Sequence, residues 1–121
     1  MAELFESVTI KGKLPSLNEY IEAERTNRHI AAKMKRETEQ FIVWQLKRMK
    51  PIERKICIRF IWYEETARRD PDNVCFAKKF ILDAMQKCGK LKNDNSKWIA
   101  GFSDSFVYGH GQGVILDISE V

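Results

Sequence analysis

The sequence predicts an α+β domain with a small mixed or antiparallel sheet and two main helices, in the order β-α-β-α-β-β. Short β-branched and aromatic runs alternate with longer stretches whose apolar residues recur every three or four positions. Turn-forming residues separate these stretches, and no internal repeat, low-complexity segment or linker interrupts them. Since 121 residues suit one hydrophobic core, we expect a single domain over residues 1–121.

The first half of the chain predicts a strand, a loop and a long helix. Residues 5–10 alternate loosely and predict the first strand, and residues 11–18 are rich in turn formers and predict a loop. From about Asn27 to Met49 a mostly apolar stripe recurs at helical spacing, which predicts a helix that Pro51 ends. The stripe consists of Ala31, Met34, Thr38, Phe41, Ile42, Gln45, Leu46 and Met49.

The second half predicts a strand, a second helix and a hairpin. Residues 56–63 are β-branched and aromatic and give the strongest strand prediction. A helix is expected over residues 71–88, because a proline opens it and a glycine follows it. Strands at 98–107 and 114–118 flank a glycine-rich turn, which predicts that they pair as a hairpin.

An uninterrupted second helix would have two distinct faces, since successive residues are 100° apart. Its buried face would consist of Val74, Ala77, Ile81, Ala84, Met85 and Cys88. Lys79 would lie about 20° from Asp72 and about 10.5 Å further along the axis, whereas Lys78 would lie about 120° away. Phe76 and Phe80 would project between the faces, either exposed at a homodimer interface or covered by a loop or strand.

The composition bounds the function only loosely. The formal net charge of +4 allows polyanion binding without requiring it. Cys57, Cys75 and Cys88 show no metal-ligand spacing, and their odd number favours the reducing cytoplasm. His29 and His110 lie too far apart in sequence to predict a zinc site. The N-terminus has no signal-peptide pattern, and no apolar run approaches the roughly 20 residues of a membrane span, so a cytoplasmic protein is expected.

The most informative segment runs from Arg68 to Asn73, where Asp70 and Asp72 directly follow two arginines, and Asp94 lies in a later polar turn. Clustered carboxylates repel one another unless a cation lies among them, and such hard oxygen ligands suit Mg²⁺ or Mn²⁺. Arginines beside them suit a phosphate-bearing substrate. A simpler interpretation is a helix start, with Asp70 as the N-cap, the proline at the first helical position and Asp72 in the first turn.

These residues belong to motifs that resemble the RusA family of Holliday-junction resolvases, which bacteria and their prophages typically carry. The resemblance covers nearly the whole chain. The matching segments are Leu14-Pro15-Ser16-Leu17-Asn18-Glu19-Tyr20, similar to an early Pro-Ser-x-Asn-x-Tyr segment; Arg68-Arg69-Asp70-Pro71-Asp72-Asn73, similar to a central Arg-Asp-x-Asp-Asn motif; Phe80-Ile81-Leu82-Asp83-Ala84-Met85, similar to a helical segment ending in Asp-Ala-Leu; and Leu91-Lys92-Asn93-Asp94, similar to a later acidic turn.

The resemblance implies a Mg²⁺-dependent homodimer, with Mn²⁺ as a substitute ion, that binds four-way DNA junctions and makes paired symmetric nicks in recombination and repair. The family's essential, metal-binding aspartates fall on Asp70, Asp72 and Asp94. Its functional lysine lies four residues after the second aspartate, where this chain has a phenylalanine. Counting back from Asp83 places that lysine on Lys79, which the helix geometry also favours over its neighbour.

Several basic residues are candidates for DNA contacts, and two other functions stay open. Arg68 and Arg69 are expected to contact phosphates. Weaker candidates for salt-sensitive backbone contacts are Lys11, Lys13, Arg25, Arg28 and Lys33. Two alternatives stay open: a non-catalytic junction-binding protein whose aspartates only cap helices, and a small interaction protein that binds a partner through Phe76 and Phe80. The first alternative predicts no nicking with any divalent ion. The second predicts no affinity for junction DNA even at low salt.

Overall fold

Four strands and four helices follow one another along residues 3–121, the part of the chain that the computed structural model describes. The elements are β1 (Glu3–Lys11), α1 (Leu17–Thr26), α2 (Arg28–Leu46), β2 (Ile56–Glu64), α3 (Pro71–Cys75), α4 (Lys78–Lys87), β3 (Ile99–Tyr108) and β4 (Gly113–Glu120). The predicted α+β class is confirmed. The order differs from the prediction, because α1 precedes the first predicted helix and the second predicted helix is divided into α3 and α4.

The strands form one mixed sheet in the order β1-β4-β2-β3. Strand β4 runs antiparallel to β1 and β2, and β3 runs parallel to β2. The predicted hairpin between the last two strands is therefore wrong, because β2 lies between them. The glycine-rich connection crosses the end of β2, where the amide of Gly109 donates to the carbonyl of Glu64 at 2.9 Å. Gly109 and Gly111 have φ of 83° and 103°, the left-handed conformation that glycine adopts at little cost.

The core lies between the helices and one face of the sheet. Along β2 every second side chain is buried, as expected for a strand with one face against the core. These side chains belong to one hydrophobic cluster with residues of α2 and α4. The β2 and helical members of the cluster are Ile56, Ile58, Phe60, Trp62, Ile42, Leu46, Ile81, Ala84 and Met85. The intervening β2 residues point to the opposite face of the sheet, where Arg59 is exposed.

Helix α1 occupies a segment in which the sequence predicted partly a loop. The side chain of Ser16 accepts from the amide of Glu19 at 3.2 Å, and the carboxylate of Glu19 accepts from the amide of Ser16 at 3.3 Å. This reciprocal capping box satisfies two backbone donors that a helix start otherwise leaves free. Asn27, in an extended conformation, ends α1 and caps α2, so the predicted long helix begins close to where it was expected.

The predicted helix over residues 71–88 is interrupted between α3 and α4. The amide of Ala77 donates to the carbonyl of Val74 at 3.2 Å, and that of Lys79 donates to Phe76 at 3.1 Å. These bonds span three residues instead of four, so the chain tightens locally and the helical angles on either side are not continuous. The predicted buried face is confirmed, with Cys88 half-buried and Val74, Ala77, Ile81, Ala84 and Met85 fully buried. The predicted angle of about 20° between Asp72 and Lys79 assumed one continuous helix. It does not hold, because the break lies between these two residues.

Phe76 and Phe80 form an aromatic cluster with Tyr20 of α1. The ring centroids of Phe76 and Phe80 are 5.6 Å apart, and Tyr20 lies 5.6 Å from the first and 5.8 Å from the second. Phe80 is buried and Phe76 is half-buried. Of the two alternatives that the sequence left open, the structure therefore supports the covered position. Helix α1 covers them, in place of the loop or strand that the sequence offered as the alternative.

Candidate active site

The first two motifs of the sequence meet in the structure at the starts of α1 and α3. The amide of Asn18 donates to the side-chain oxygen of Asn73 at 3.2 Å. The guanidinium of Arg69 donates to the carbonyl of Leu14 at 2.9 Å and to the carboxylate of Glu19 at 3.3 Å. These contacts join residues 50 or 55 positions apart, so they fix the acidic segment against the start of α1.

The guanidinium of Arg69 binds carboxylates of the protein, whereas the sequence predicted that it contacts a phosphate. Its Nε and Nη2 donate to the two carboxylate oxygens of Glu64 at 2.7 and 2.9 Å. Glu64 is buried at the end of β2 and also accepts from the side chain of Gln112. The hydrogen bond to Glu64 raises the pKa of Arg69 above its ordinary value, although burial opposes the shift. The planar guanidinium of Arg69 thus binds both oxygens of the Glu64 carboxylate. The exposed Arg68 is then the remaining candidate for binding phosphate.

The carboxylates of Asp70 and Asp72 relate differently to the start of α3. Asp70 is the N-cap, and its backbone carbonyl accepts from Asn73 and Val74 at 2.9 and 3.1 Å, but its side chain makes no capping hydrogen bond. Asp72 is exposed in the first turn, where the helix dipole favours an acid. Within residues 3–121 no cationic side chain lies within 4.0 Å of either carboxylate. Both carboxylates therefore lack an ion-pair partner in the described part of the chain.

Asp94 lies beside the ammonium group of Lys79. Lys79 Nζ is 4.0 Å from Asp94 Oδ2 and donates to Asp83 Oδ1 at 3.2 Å. The hydrogen bond to Asp83 raises the pKa of Lys79 above its ordinary value, with partial desolvation opposing it and the charges of Asp83 and Asp94 adding to it. The structure thus pairs Lys79 with these two aspartates instead of with Asp72, and the ammonium group stays largely exposed.

Lys78, the neighbouring lysine, is fixed to the sheet. Its Nζ donates to Asp104 of β3 at 2.8 Å and lies 5.0 Å from the ring centroid of Phe60 and 4.7 Å from that of Phe102. Asp104 also accepts from the indole of Trp62 at 2.9 Å. Of the two lysines, Lys79 therefore has the ammonium group available to a ligand. Sequence reasoning missed Asp104, since nothing in its strand distinguishes it before β3 is placed beside β2.

The carboxylates of the three predicted metal ligands suit a divalent cation. In the described part of the chain they do not form a closed three-ligand site. Asp70 is the N-cap of α3, Asp72 lies in its first turn, and Asp94 lies beside Lys79, the second residue of α4. In the described part of the chain, no three histidine, cysteine or acidic side chains converge closely enough to hold a metal ion. Mg²⁺ keeps several of its waters and needs only one or two carboxylates from the protein, so a closed cage is not required. The free carboxylates of Asp70 and Asp72 meet that requirement.

The remaining basic candidates are exposed and lie in separate places. Lys11 and Lys13 flank Gly12 after β1, and Arg25 and Arg28 flank the junction between α1 and α2. Lys33 lies 3.8 Å from the carboxylate of Glu37 one turn further along α2. Each of these five exposed residues is an independent candidate for a backbone contact.

Comparisons with known proteins add no family assignment. No protein-family model matches the chain, and no curated protein matches it either. Across residues 3–121 the helices are all too short or too polar to cross a membrane. The resemblance to junction resolvases therefore rests on the motifs, and the site geometry supplies the independent argument.

Proposed function

We propose that the protein is a divalent-metal-dependent endonuclease that nicks four-way DNA junctions, as the RusA-type resolvases that it resembles do. The observation that carries the proposal is the pair of unengaged carboxylates of Asp70 and Asp72 beside the exposed Arg68. A third acid, Asp94, lies 4.0 Å from the ammonium group of Lys79. Carboxylates can hold the metal ions that assist phosphodiester cleavage, and a cationic group near them can stabilise charge on the phosphate.

Each residue has a distinct role in this proposal. Asp70, Asp72 and Asp94 would hold Mg²⁺ or Mn²⁺, which when bound activates water and stabilises charge on the phosphate. Lys79 is protonated at neutral pH, and the hydrogen bond to Asp83 raises its pKa further, so it can stabilise negative charge that develops on the phosphate or orient the nucleophile. Arg68 would bind a neighbouring phosphate.

The proposed reaction also favours a homodimer in the cytoplasm. Paired symmetric nicks require two sites related by a two-fold axis, which a homodimer supplies directly. Cys57, Cys75 and Cys88 are unpaired thiols, which a reducing compartment maintains. Because α1 covers Phe76 and Phe80, a dimer would use a different surface.

A non-catalytic junction-binding protein is the second candidate. The observation that favours it is that, within residues 3–121, no three acidic, histidine or cysteine side chains are already gathered for a metal. In that case the basic side chains would bind DNA, and Asp70 and Asp72 would contribute only to the start of α3.

One experiment separates the candidates. A labelled synthetic four-way junction and a linear duplex of the same sequence are incubated with the protein in Mg²⁺, Mn²⁺ or chelator. The endonuclease proposal predicts paired nicks in the junction with either metal and none in chelator. Junction binding without nicking in any divalent ion would favour the non-catalytic candidate. No junction binding even at low salt would contradict both and would favour a protein-interaction role.

A further inference from the structure

A groove between α2 and the end of α4 has features that the proposed active site does not use. Its volume is about 320 Å³, and its lining residues are Arg36, Glu39, Gln40, Val43, Trp44 and Lys87. Trp44 is 69% exposed, the highest value of any aromatic residue in the described part of the chain. A tryptophan held in water on a helix surface is a marker of a binding surface, because its burial would release a large apolar area.

Cationic side chains lie beside the exposed indole and along the groove. Lys47 Nζ lies 4.0 Å from the ring centroid of Trp44. Arg36 and Lys87 line the groove itself. One exposed aromatic ring beside three cationic side chains suits a polyanion that also has flat aromatic groups.

One carboxylate lies in the groove, and it is already engaged. Glu39 is 1% exposed, and its oxygens are in contact with the ammonium of Lys87 and 3.9 Å from that of Lys35. Neither oxygen accepts a hydrogen bond of good geometry from the described residues. Glu39 thus holds Lys87 at the groove and does not present a free negative charge to a ligand.

The groove is connected to the candidate active site by a row of ion pairs. Lys35 Nζ lies between Glu39 Oε2 at 3.9 Å and Asp83 Oδ2 at 3.5 Å. Asp83 accepts from Lys79, and Lys79 lies 4.0 Å from Asp94. A DNA strand that leaves the groove along this side of α4 would therefore pass the proposed site acid and its lysine.

We infer that the groove binds an unpaired nucleotide of a single-stranded DNA segment, with the base stacked on Trp44 and the phosphates on Arg36, Lys47 and Lys87. Every base offers a π-face, so stacking on one aromatic ring requires no particular sequence. The groove volume is at the lower end of the roughly 300–1,000 Å³ typical of sites for small molecules, a size suited to one nucleotide. An acidic peptide would match the charge, but Val43 is the one further apolar lining residue that could anchor it.

The inference rests on the proposed function, which it deepens, because stacking is interrupted where strands exchange at a branch point, and a base there can be extruded from its pair. The groove would hold one strand next to Asp94 and Lys79 before it is cut. It would therefore contribute to selection of branched over linear duplex DNA.

Binding of a fluorescein-labelled oligo-dT of roughly 12 nucleotides tests the inference. Anisotropy is measured in chelator at low salt, so that no cleavage occurs. We expect Trp44→Ala to weaken binding about tenfold or more, and Trp44→Phe to retain most of the affinity because a stacking surface remains. Arg59→Ala is the matched control, since it removes one positive charge from the uncovered face of the sheet; we expect a change below about twofold.

Intrinsic fluorescence gives a second readout of direct contact. Trp62 is buried and Trp98 is half-buried, so stacking on Trp44 should quench the exposed component of the emission. The quenching should disappear in Trp44→Phe. Unchanged affinity in Trp44→Ala, an equal loss in Arg59→Ala, or quenching that persists in Trp44→Phe would overturn the inference. Binding of a poly-glutamate peptide without binding of the oligonucleotide would also overturn it.

The outcomes are separable from those of the proposed function. A protein that binds oligo-dT through Trp44 but never nicks a junction would contradict the nuclease proposal and leave the groove assignment in place. A protein that nicks junctions normally but shows no Trp44-dependent binding would contradict the groove assignment alone.

Discussion

The two adjacent lysines at the start of α4 should separate catalysis from stability. Lys79 has its ammonium group exposed beside Asp94, whereas the ammonium of Lys78 is bound to Asp104 and lies over two aromatic rings. Replacement of each by alanine should therefore produce opposite defects. Lys79→Ala should impair nicking with little change in stability, and Lys78→Ala should lower stability with a much smaller effect on nicking.

The magnitudes follow from the contacts that each change removes. Lys78→Ala removes a charge-assisted hydrogen bond of 2.8 Å whose partners are about three-quarters buried, which typically contributes about 1.5–3 kcal/mol. Two cation–π contacts add about 0.5 kcal/mol each at a partly exposed site. We therefore expect a loss of about 2.5–4 kcal/mol in the free energy of unfolding. Lys79→Ala removes mostly exposed ion pairs and should change that free energy by less than about 1 kcal/mol.

Activity and stability are measured on the same preparations. Denaturant unfolding gives the free energies, and single-turnover nicking of a four-way junction in Mg²⁺ gives the rates. Loss of one well-placed electrostatic group typically costs about 100-fold or more, and this is the expected effect of Lys79→Ala. Equal rates for the two variants, or a larger rate defect in folded Lys78→Ala, would refute the assignment of Lys79.

Three further predictions concern the architecture, the pH dependence and the assembly. Arg69→Ala should cost about 3 kcal/mol of stability because it leaves Glu64 buried without its partner. Arg68→Ala should change stability by less than about 0.5 kcal/mol and weaken junction binding; the reverse ranking by denaturation and anisotropy would contradict both assignments. The Lys79–Asp83 pair stabilises the fold below the ordinary lysine pKa and is lost as pH rises through the raised value. Asp83→Asn should therefore move the alkaline loss of nicking to lower pH, and an unchanged pH–rate profile would contradict this role. Light scattering should give a dimer at micromolar concentration, and a stable 14.2 kDa species with and without junction DNA would contradict it.

The sequence predicted the strands well and their arrangement poorly. The four predicted strands lie within one or two residues of β1 to β4, because period-two alternation of β-branched residues is a local signal. The hairpin was wrong because strand order depends on pairing between distant segments, here the insertion of β4 between β1 and β2. Helix α1 could have been found from Ser16 and Glu19, which form the capping-box pattern beside the proline that predicted a loop.

The candidate site shows the same division between local and distant information. Asp70, Asp72 and Asp94 were identified from residue type and spacing, and the structure leaves the first two carboxylates free of protein partners. The roles of Arg69 and Lys78 depend on Glu64 and Asp104, which lie on other strands and carry no local signal. No glycine or proline lies at the break between α3 and α4, so the sequence contained no signal of it. The helical wheel therefore treated residues 71–88 as one helix.

Nicking by Asp72→Asn tests the central claim most directly. Asp72 is exposed and its carboxylate has no cationic partner within residues 3–121, so asparagine should leave the thermal unfolding midpoint nearly unchanged. Glu65→Gln, which removes one negative charge from an exposed residue after β2, is the matched control. We predict that Asp72→Asn nearly abolishes nicking of a four-way junction in Mg²⁺ while junction affinity holds or rises, and that Glu65→Gln nicks normally. A folded Asp72→Asn protein that nicks junctions at close to the wild-type rate would contradict the metal-dependent endonuclease assignment.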